Sequence, residues 1–210
     1  MSEKTPETKF QTEMNVSRET IEKLEIYETL LQKWNPIINL VSRNTLHDIW
    51  NRHFLDSAQI WKLRPSDSGL WLDLGSGAGF PGLVIAVLAK EIKAPMKVSL
   101  VESDVRKAAF LRQASHAMDV SAEIHTARVE DIPPQNASII SARALAPVTK
   151  LLTFVELHGA DHPIGLFSKG KNHELELTEA KKYWTFDIQK TASLTDIDGV
   201  ILKTENLGRI

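Results

Sequence analysis

The sequence predicts an α/β fold, in which helices cover both faces of a mostly parallel sheet of seven strands with one antiparallel strand. From residue 70 onward, short apolar runs alternate regularly with runs of helical period, which is typical of parallel sheets. A glycine-rich turn, GSGAGFPG over residues 75–82, directly follows the first apolar run. The last two strand-like runs have no helix between them, which predicts a hairpin and hence the antiparallel strand.

The individual strands and helices are predicted from the length of the apolar runs and from the glycine and proline residues that bound them. The first run is short and bounded by glycine, as expected of a buried strand, and Pro81 suits the first turn of the helix after it. Ligands of such sheets bind at the carboxyl ends of the strands, which here lie beside the glycine turn. We predict strands at 70–74, 97–102, 122–126, 138–142, 164–168, 185–189 and 200–203, and helices at 81–91, 104–118, 148–158 and 174–183.

Two helical stretches precede this alternation. The first is predicted at 17–34, with Ser17 as its N-cap and Asn35-Pro36 as its end, and the second at 46–63. The residues before Ser17 are polar, which predicts a flexible segment. The predicted organisation is a flexible tail at 1–15, a helical cap at 16–68 and the α/β domain at 69–210.

The composition excludes several classes of protein. The chain has 210 residues, 42% apolar and 25% charged, as in an ordinary globular protein with one core. No apolar run approaches the roughly 18 residues that a membrane span needs, and the amino terminus lacks the apolar centre of a secretory signal. We therefore expect a cytoplasmic protein without a membrane partner. The absence of cysteine removes disulfides and thiolate chemistry, and the seven histidines show no metal-binding spacing, so we expect no metal.

The glycine turn presents backbone N–H groups and a helix amino end to a space that no side chain fills. Residues 77–82 fit the dinucleotide pattern G-x-G-x-x-G, which alone is weakly specific. The wider pattern D-x-G-x-G-x-G adds an acid two residues before the first glycine, and it resembles motif I of class I S-adenosylmethionine-dependent methyltransferases. The residues of this pattern, Asp73, Gly75, Gly77 and Gly79, are predicted to form the cofactor site.

An acidic residue ends the second predicted strand. The Glu102 carboxylate can accept hydrogen bonds from both hydroxyls of a ribose, which suits NAD and S-adenosylmethionine equally. Short-chain dehydrogenases use a Tyr-x-x-x-Lys pair, but Tyr27 and Tyr183 are followed four residues later by leucine and aspartate. The methyltransferase interpretation is therefore favoured.

The residues after the fourth strand bear on which atom is methylated. Methylation at C5 of a pyrimidine needs a thiolate, which this chain lacks. The segment IPPQ at 132–135 precedes the fourth strand and lacks the amide and the aromatic residue of the motif for exocyclic amines. Arg143, which follows that strand, cannot act as a base. Guanine N7 has a free lone pair and needs positioning without proton removal, which is consistent with such a site.

Seven stretches together resemble the bacterial small-subunit ribosomal RNA methyltransferase G (RsmG, or GidB) family from about residue 30 to residue 209. They are KWNPIINLVS (33–42), RHFLDS (52–57), WLDLGSGAGFPGLVIA (71–86), LVESDVRKAAFLRQ (100–113), ARVED (127–131), SARALAP (141–147) and FSKG (167–170). The resemblance implies a class I fold, S-adenosylmethionine as cofactor, and methylation of guanine N7 at position 527 in the 530 loop of 16S rRNA.

The resemblance also implies which residues contact the cofactor. They are Gly75, Phe80, Val129, Glu130 and Arg143, with Arg143 also a candidate for positioning the reaction. Phe80 stands where other members often have leucine, and the usual K-G-Q appears as Lys169-Gly170-Lys171, which leaves a role of the glutamine open.

The expected partner is 16S rRNA or the small ribosomal subunit, bound by a monomer. The net charge is only −2, so basic residues must gather near the cofactor to attract phosphates. Two alternatives remain, a methyltransferase of a small molecule and a Rossmann-type nucleotide-binding module without enzymatic activity. The RNA-binding candidates are Arg106, Lys107, Arg112, Arg128, Lys169 and Lys171.

Overall fold

Seven strands form one twisted sheet in the order β3-β2-β1-β4-β5-β7-β6 in the computed structural model, which describes residues 5–210. Strand β7 runs antiparallel to both of its neighbours, β5 and β6, and the β1–β5 pairings are parallel. The predicted fold class is thereby confirmed, including the closing hairpin. The strands are β1 Gly69–Leu74, β2 Met96–Val101, β3 Glu123–His125, β4 Ala137–Arg143, β5 Gly159–Lys169, β6 Trp184–Ala192 and β7 Val200–Arg209.

Helices cover both faces of the sheet. Helices α4 and α5 share one hydrophobic cluster with the amino-terminal segments, whereas α6 and α7 pack in a second cluster on the other face. The carboxylate of Asp104 caps α5 by accepting the backbone N–H of Arg106 at 2.8 Å. These helices are α4 Gly82–Glu91, α5 Val105–Ala117, α6 Val148–His158 and α7 His173–Ala180. No helix within residues 5–210 has both the length and the apolar character to cross a membrane.

The helical cap begins with α1 Pro6–Met14 and α2 Arg18–Ile38. The prediction that α2 ends at Asn35-Pro36 is wrong, because Pro36 lies in the last turn and removes only one backbone hydrogen bond there. The helix ends at Ile38, and its C-cap residue Asn39 is left-handed with φ 49°. The Asn35 side chain accepts the N–H of Val41 at 2.8 Å and fixes the chain beyond the helix.

The helix predicted at 46–63 is instead a series of short, irregular helical turns. It comprises 3₁₀ turns at Arg43–Asp48 and Gln59–Leu63, a π-helical turn at Trp50–Leu55 and one α-turn, α3 Asp56–Ala58. Changes of helical pitch rotate successive side chains, so that both the core and the sheet edge receive residues from this segment.

The amino-terminal segment differs from the predicted flexible tail. Residues 1–4 lie outside the described residues, but Pro6–Met14 form the helix α1, which Thr5 caps through its hydroxyl. Phe10 is only 1% exposed and packs edge-on against Trp50, with ring centroids 5.8 Å apart. One aromatic residue in a polar stretch gives too weak a period to predict a packed helix.

The cap packs directly on the sheet. The Trp61 ring stacks on that of Trp71 in β1 at 6.0 Å, and Tyr27 of α2 is fully buried against the glycine turn. Residues of β4, β5 and β7 belong to the same hydrophobic cluster as the cap. The cap therefore supplies the part of this sheet face that α4 and α5 do not cover.

Phe10→Ala should lower the free energy of unfolding by about 3 kcal/mol, because it leaves a cavity beneath α1. Denaturant unfolding measures this change. Glu13→Ala, at an exposed position of the same helix, is the control and should change stability by less than about 0.5 kcal/mol. Equal stability of the two variants would contradict the packing of α1.

Candidate functional site

The glycine turn links β1 to α4 through backbone hydrogen bonds. The N–H of Ser76 donates to the Val101 carbonyl at 3.0 Å, and that of Gly79 donates to the Ser76 carbonyl at 2.7 Å. Gly77 is left-handed with φ +56°, and the nearest atom to a Cβ built there is 3.9 Å away. The conformation thus favours glycine, and the space beside it is open to a ligand.

Asp73 lies beneath this turn and is fully buried. One carboxylate oxygen accepts the N–H of Gly82 at 3.1 Å, and the other accepts the Ser141 hydroxyl at 2.7 Å. Burial raises the pKa of Asp73 to about 6, against the opposing effect of these hydrogen bonds. With no exposed surface, Asp73 supports the predicted cofactor site by holding the turn and not by touching a ligand.

Glu102 follows β2 and borders the turn. Its carboxylate accepts the N–H of Gly77 at 2.8 Å and the N–H of Asp104 at 2.7 Å. A carboxylate has about four acceptor positions, so about two remain for a ligand. Glu102 borders a cavity of about 280 Å³. The residues that line this cavity include Gly75, Gly77, Glu102, Arg128, Val129 and Glu130.

Val129 and Glu130 stand in a 3₁₀ turn, Val129–Asp131, after β3. The Nε2–H of buried His158 donates to the Val129 carbonyl at 2.9 Å and fixes the position of this turn. The Glu130 carboxylate pairs with Lys150 Nζ at 3.0 Å, and this hydrogen bond lowers the pKa of Glu130. The structure thus brings the turn after β3 together with the glycine turn and Glu102 around one cavity.

Arg143 lies at the end of β4, in a second and larger cavity of about 780 Å³ between the cap, the sheet edge and the β6–β7 hairpin. Its Nη1 donates to the Asp56 carboxylate at 3.2 Å, and its Nη2 donates to His53 Nδ1 at 3.2 Å. Its guanidinium also lies 4.9 Å from the centre of the Phe80 ring. Arg143 is therefore held by the cap and by the glycine turn at once.

His53 was not among the residues predicted for the site. Arginine can only donate, so His53 Nδ1 accepts, and its Nε2–H donates to Thr45 Oγ1 at 2.8 Å. Burial, together with the charges of Arg143 and Arg52, lowers the pKa of His53 to about 3. The imidazole is neutral at pH 7 with a fixed tautomer. His53 lies in the motif RHFLDS, which is one of the stretches that resemble the family, but nothing in the sequence indicates that this motif contacts Arg143.

Phe80 points into the cap. Its ring is 3% exposed and lies 5.3 Å from the ring of Tyr27 and 5.0 Å from that of His53. Phe80 does not line the smaller cavity, so the lining of that cavity lends no support to the predicted cofactor contact of this residue. This packing explains why phenylalanine can stand at position 80 where other family members often have leucine, since any apolar side chain of suitable volume fills the position.

The six RNA-binding candidates divide into three groups. Lys107 and Arg128 line the smaller cavity, and Lys171 is exposed beside Gly170, which lines the larger one. Arg106 and Arg112 are exposed, but Arg106 pairs with Asp104 at 3.4 Å, and Arg112 donates to Thr126 Oγ1 at 2.6 Å.

Lys169 stays a candidate RNA contact, since it lines the larger cavity, but its ammonium is already bound by protein groups. Its side chain is 9% exposed, and its ammonium donates to the Glu176 carboxylate at 2.7 Å and to the Ala146 carbonyl at 2.6 Å. Glu176 also accepts the N–H of Val148 at 2.9 Å, which joins α7 to the start of α6. The ammonium therefore holds the loop after β4 in place.

Comparison with known proteins extends this picture. The family described as GidB, rRNA small subunit methyltransferase G, matches residues 20–202. The Ribosomal RNA small subunit methyltransferase G of Cereibacter sphaeroides is 47% identical over 197 residues, which cover 94% of this chain and 95% of that protein. The protein of the same name from Ruegeria sp. is 44% identical over 198 residues, covering 94% and 96%.

Solved structures agree with the fold. A SAM dependent methyltransferase from Aquifex aeolicus superposes with a TM-score of 0.58 at 13% identity, covering 85% of this chain and 97% of that one. A TehB-like SAM-dependent methyltransferase from Corynebacterium glutamicum gives 0.57 at 14% identity, covering 85% and 96%. The fold is therefore that of class I S-adenosylmethionine-dependent methyltransferases. The family matches residues 20–202, which are most of the chain, so the chain belongs to the rRNA small subunit methyltransferase G family. Its cofactor is S-adenosylmethionine.

Proposed function

We propose that this chain transfers a methyl group from S-adenosylmethionine to N7 of guanine 527 in the 530 loop of 16S rRNA. Membership of the family supports an rRNA of the small subunit as substrate. The choice of guanine N7 rests on the chemistry of the larger cavity. We also propose that the enzyme acts as a cytoplasmic monomer on naked 16S rRNA or on the small ribosomal subunit.

The single observation that carries the proposal is that, among residues 5–210, the larger cavity has no titratable side chain that is left without a protein partner and so ready to act as a general base. Its titratable side chains, as far as residues 5–210 are concerned, are engaged with one another. His53 has a pKa of about 3, and its Nδ1 lone pair already accepts from Arg143, so it cannot remove a proton. The other six form three ion pairs: Arg143 with Asp56, Lys169 with Glu176, and Arg52 with Asp196.

A site of this kind suits an acceptor that loses no proton before it is methylated. An exocyclic amine or a hydroxyl needs a base to take its proton, whereas guanine N7 attacks with an in-plane lone pair. When bound, S-adenosylmethionine would supply the methyl group on a sulfonium sulfur. The sulfur–carbon bond would break as the bond from guanine N7 to the methyl carbon forms, and the positive charge would pass from the sulfur to the methylated guanine. The protein's task is then to hold the acceptor in line.

The smaller cavity has the features that the cofactor needs. Gly75 and Gly77 give a wall without side chains, and about two acceptor positions of Glu102 are available to ribose hydroxyls. Val129 and Glu130, in the turn after β3, also line this cavity and would be available to contact the rest of the nucleoside.

Positive charge at the cavities supports an RNA acceptor. Lys107 and Arg128 line the smaller cavity, and Lys171 follows a residue that lines the larger one. In a chain with net charge −2, these side chains provide local attraction for phosphates. Binding to RNA should therefore weaken as the salt concentration rises, whereas binding of an uncharged small acceptor would not.

Glu102→Gln should weaken binding of S-adenosylmethionine by about 1 to 3 kcal/mol, or roughly 5- to 150-fold in Kd, because it removes a charged acceptor for the ribose hydroxyls. Isothermal titration calorimetry measures the change. Glu179→Gln, at an exposed position of α7, should leave Kd unchanged. An unchanged Kd for Glu102→Gln as well would show that the ribose does not bind this carboxylate.

His53→Gln should make stability less sensitive to acid. The pKa of His53 is about 3 in the fold and about 6.5 when unfolded, so its contribution to stability is present above pH 6.5 and is lost as pH falls towards 3. Between those values the free energy of unfolding of the wild type should fall more steeply, by up to about 1.4 kcal/mol per pH unit.

Denaturant unfolding at a series of pH values tests this difference. Asp73 and the other carboxyl groups titrate in both proteins, so their contributions cancel in the comparison. His116→Gln, which replaces an exposed histidine of α5, should retain the slope of the wild type. If His53→Gln retains it too, His53 is protonated in the folded protein.

The proposed reaction is tested with labelled S-adenosylmethionine and small ribosomal subunits from a strain lacking the enzyme. Label should appear on one guanine in the 530 loop, and chemical cleavage specific for N7-methylguanine should map it. Label on another base or atom would overturn the choice of N7. If the cofactor binds but neither subunits nor naked 16S rRNA is labelled, the acceptor is not rRNA.

A further inference from the structure

The loop between β6 and β7 is bound to the cap beside the larger cavity. This hairpin loop comprises residues 193–199, and four of its residues line the cavity. The Gln59 side chain accepts the N–H of Leu194 at 2.8 Å and donates to Ser193 Oγ at 3.1 Å. Arg52 donates to the Asp196 carboxylate at 3.3 Å. The loop and the irregular helical segment of the cap therefore form one wall.

The carboxylate of Asp56 joins this wall to Arg143. Its Oδ1 accepts the hydroxyl of Thr195 at 2.8 Å and a side-chain N–H of Gln59 at 3.0 Å, and its Oδ2 accepts from Arg143 at 3.2 Å. The Asp56 and Arg143 side chains are 17% and 20% exposed, so this pair is shielded more than an ordinary surface pair. Asp56 is the one acid within 4.0 Å of the Arg143 guanidinium among residues 5–210.

We propose that Asp56 is a positioning residue for Arg143, and that the Thr195 hydroxyl of the hairpin loop fixes the Asp56 carboxylate for this role. An aspartate carboxylate rotates easily about its last torsion, and a donor on one oxygen restricts that rotation. Without the Thr195 hydroxyl, Oδ1 keeps only the longer hydrogen bond from Gln59. The carboxylate is then held less firmly, and the hydrogen bond between Oδ2 and Arg143 loses part of its geometry.

This inference rests on the methyl transfer proposed above, because Arg143 has a defined task only if the larger cavity receives the acceptor. Arg143 stands after β4 and reaches the cap through Asp56 and His53. A misplaced guanidinium would disturb alignment in the transition state more than binding of the cofactor, whose predicted cavity is not lined by Thr195 or Asp56.

The test is Thr195→Val, which removes the hydroxyl and keeps the shape of the side chain. With saturating S-adenosylmethionine and small subunits, total methyl label should give a kcat lower by about three- to tenfold, within the range expected for the net contribution of one hydrogen bond. The Kd for S-adenosylmethionine and the melting temperature should stay close to those of the wild type. Thr195→Ser, which keeps a hydroxyl, should retain most of the activity.

A matched control and a double variant separate positioning from folding. Thr191→Val removes a threonine hydroxyl from β6 of the same hairpin and should leave kcat unchanged. In an Arg143→Lys background, Thr195→Val should cause less than about a twofold further loss, because it acts through Arg143.

The same loss in both backgrounds, or a wild-type kcat for Thr195→Val, would overturn the inference. The kcat measurement counts all methyl label on the RNA, whichever nucleotide carries it. Failure of the inference is therefore distinct from failure of the guanine N7 proposal, in which the wild type itself labels another atom.

Discussion

The carboxylate of Asp73 lies where the carboxyl ends of β1 and β4 meet the amino end of α4, and the geometry of the glycine turn depends on it. It accepts the N–H of Gly82 and the hydroxyl of Ser141, and Ser141 in turn accepts the indole N–H of Trp71 at 2.9 Å. The pKa of about 6 lies above the usual 3.8, so the carboxyl's contribution to stability is complete below pH 4 and is lost as pH rises through 6. At neutral pH these hydrogen bonds offset the cost of a buried charge.

The cap provides the second constraint on the same turn. Tyr27 donates its hydroxyl to the Ala78 carbonyl, and its ring packs on Phe80 on the other side of the turn. Burial raises the pKa of Tyr27 well above its usual value of 10, so the hydroxyl keeps its proton and remains a donor at any pH at which the protein is used. The turn is thereby held by Asp73 from the sheet and by Tyr27 from the cap, and its open surface is left for the cofactor.

The sequence could predict the features that have strong local signals. Strand and helix periods predicted the order of elements, and the missing helix between 185–189 and 200–203 predicted the antiparallel strand. The errors lie where tertiary contacts outweigh local signals. Phe10 orders a polar terminus by packing on Trp50. The ion pair of Lys169 with Glu176 is a further tertiary contact that the local sequence does not indicate. The partners of Arg143 on the cap are about 90 residues away in sequence, which no spacing rule reaches.

The two cavities share part of one wall, and this arrangement connects the structure to the chemistry. Leu145 and Ala146, which follow Arg143, line both the smaller and the larger cavity. Leu145 also packs so closely over Gly75 that a Cβ built there would lie 2.5 Å from its Cδ1. If the cofactor binds on the glycine side and the acceptor on the cap side, as proposed above, the methyl group passes along the edge of this segment. For the proposed acceptor, which needs no base, the reaction would then depend on how accurately the segment is held. The contacts of Lys169 with the Ala146 carbonyl and of Arg143 with Asp56 act at its two ends, and both bury charge to fix a position.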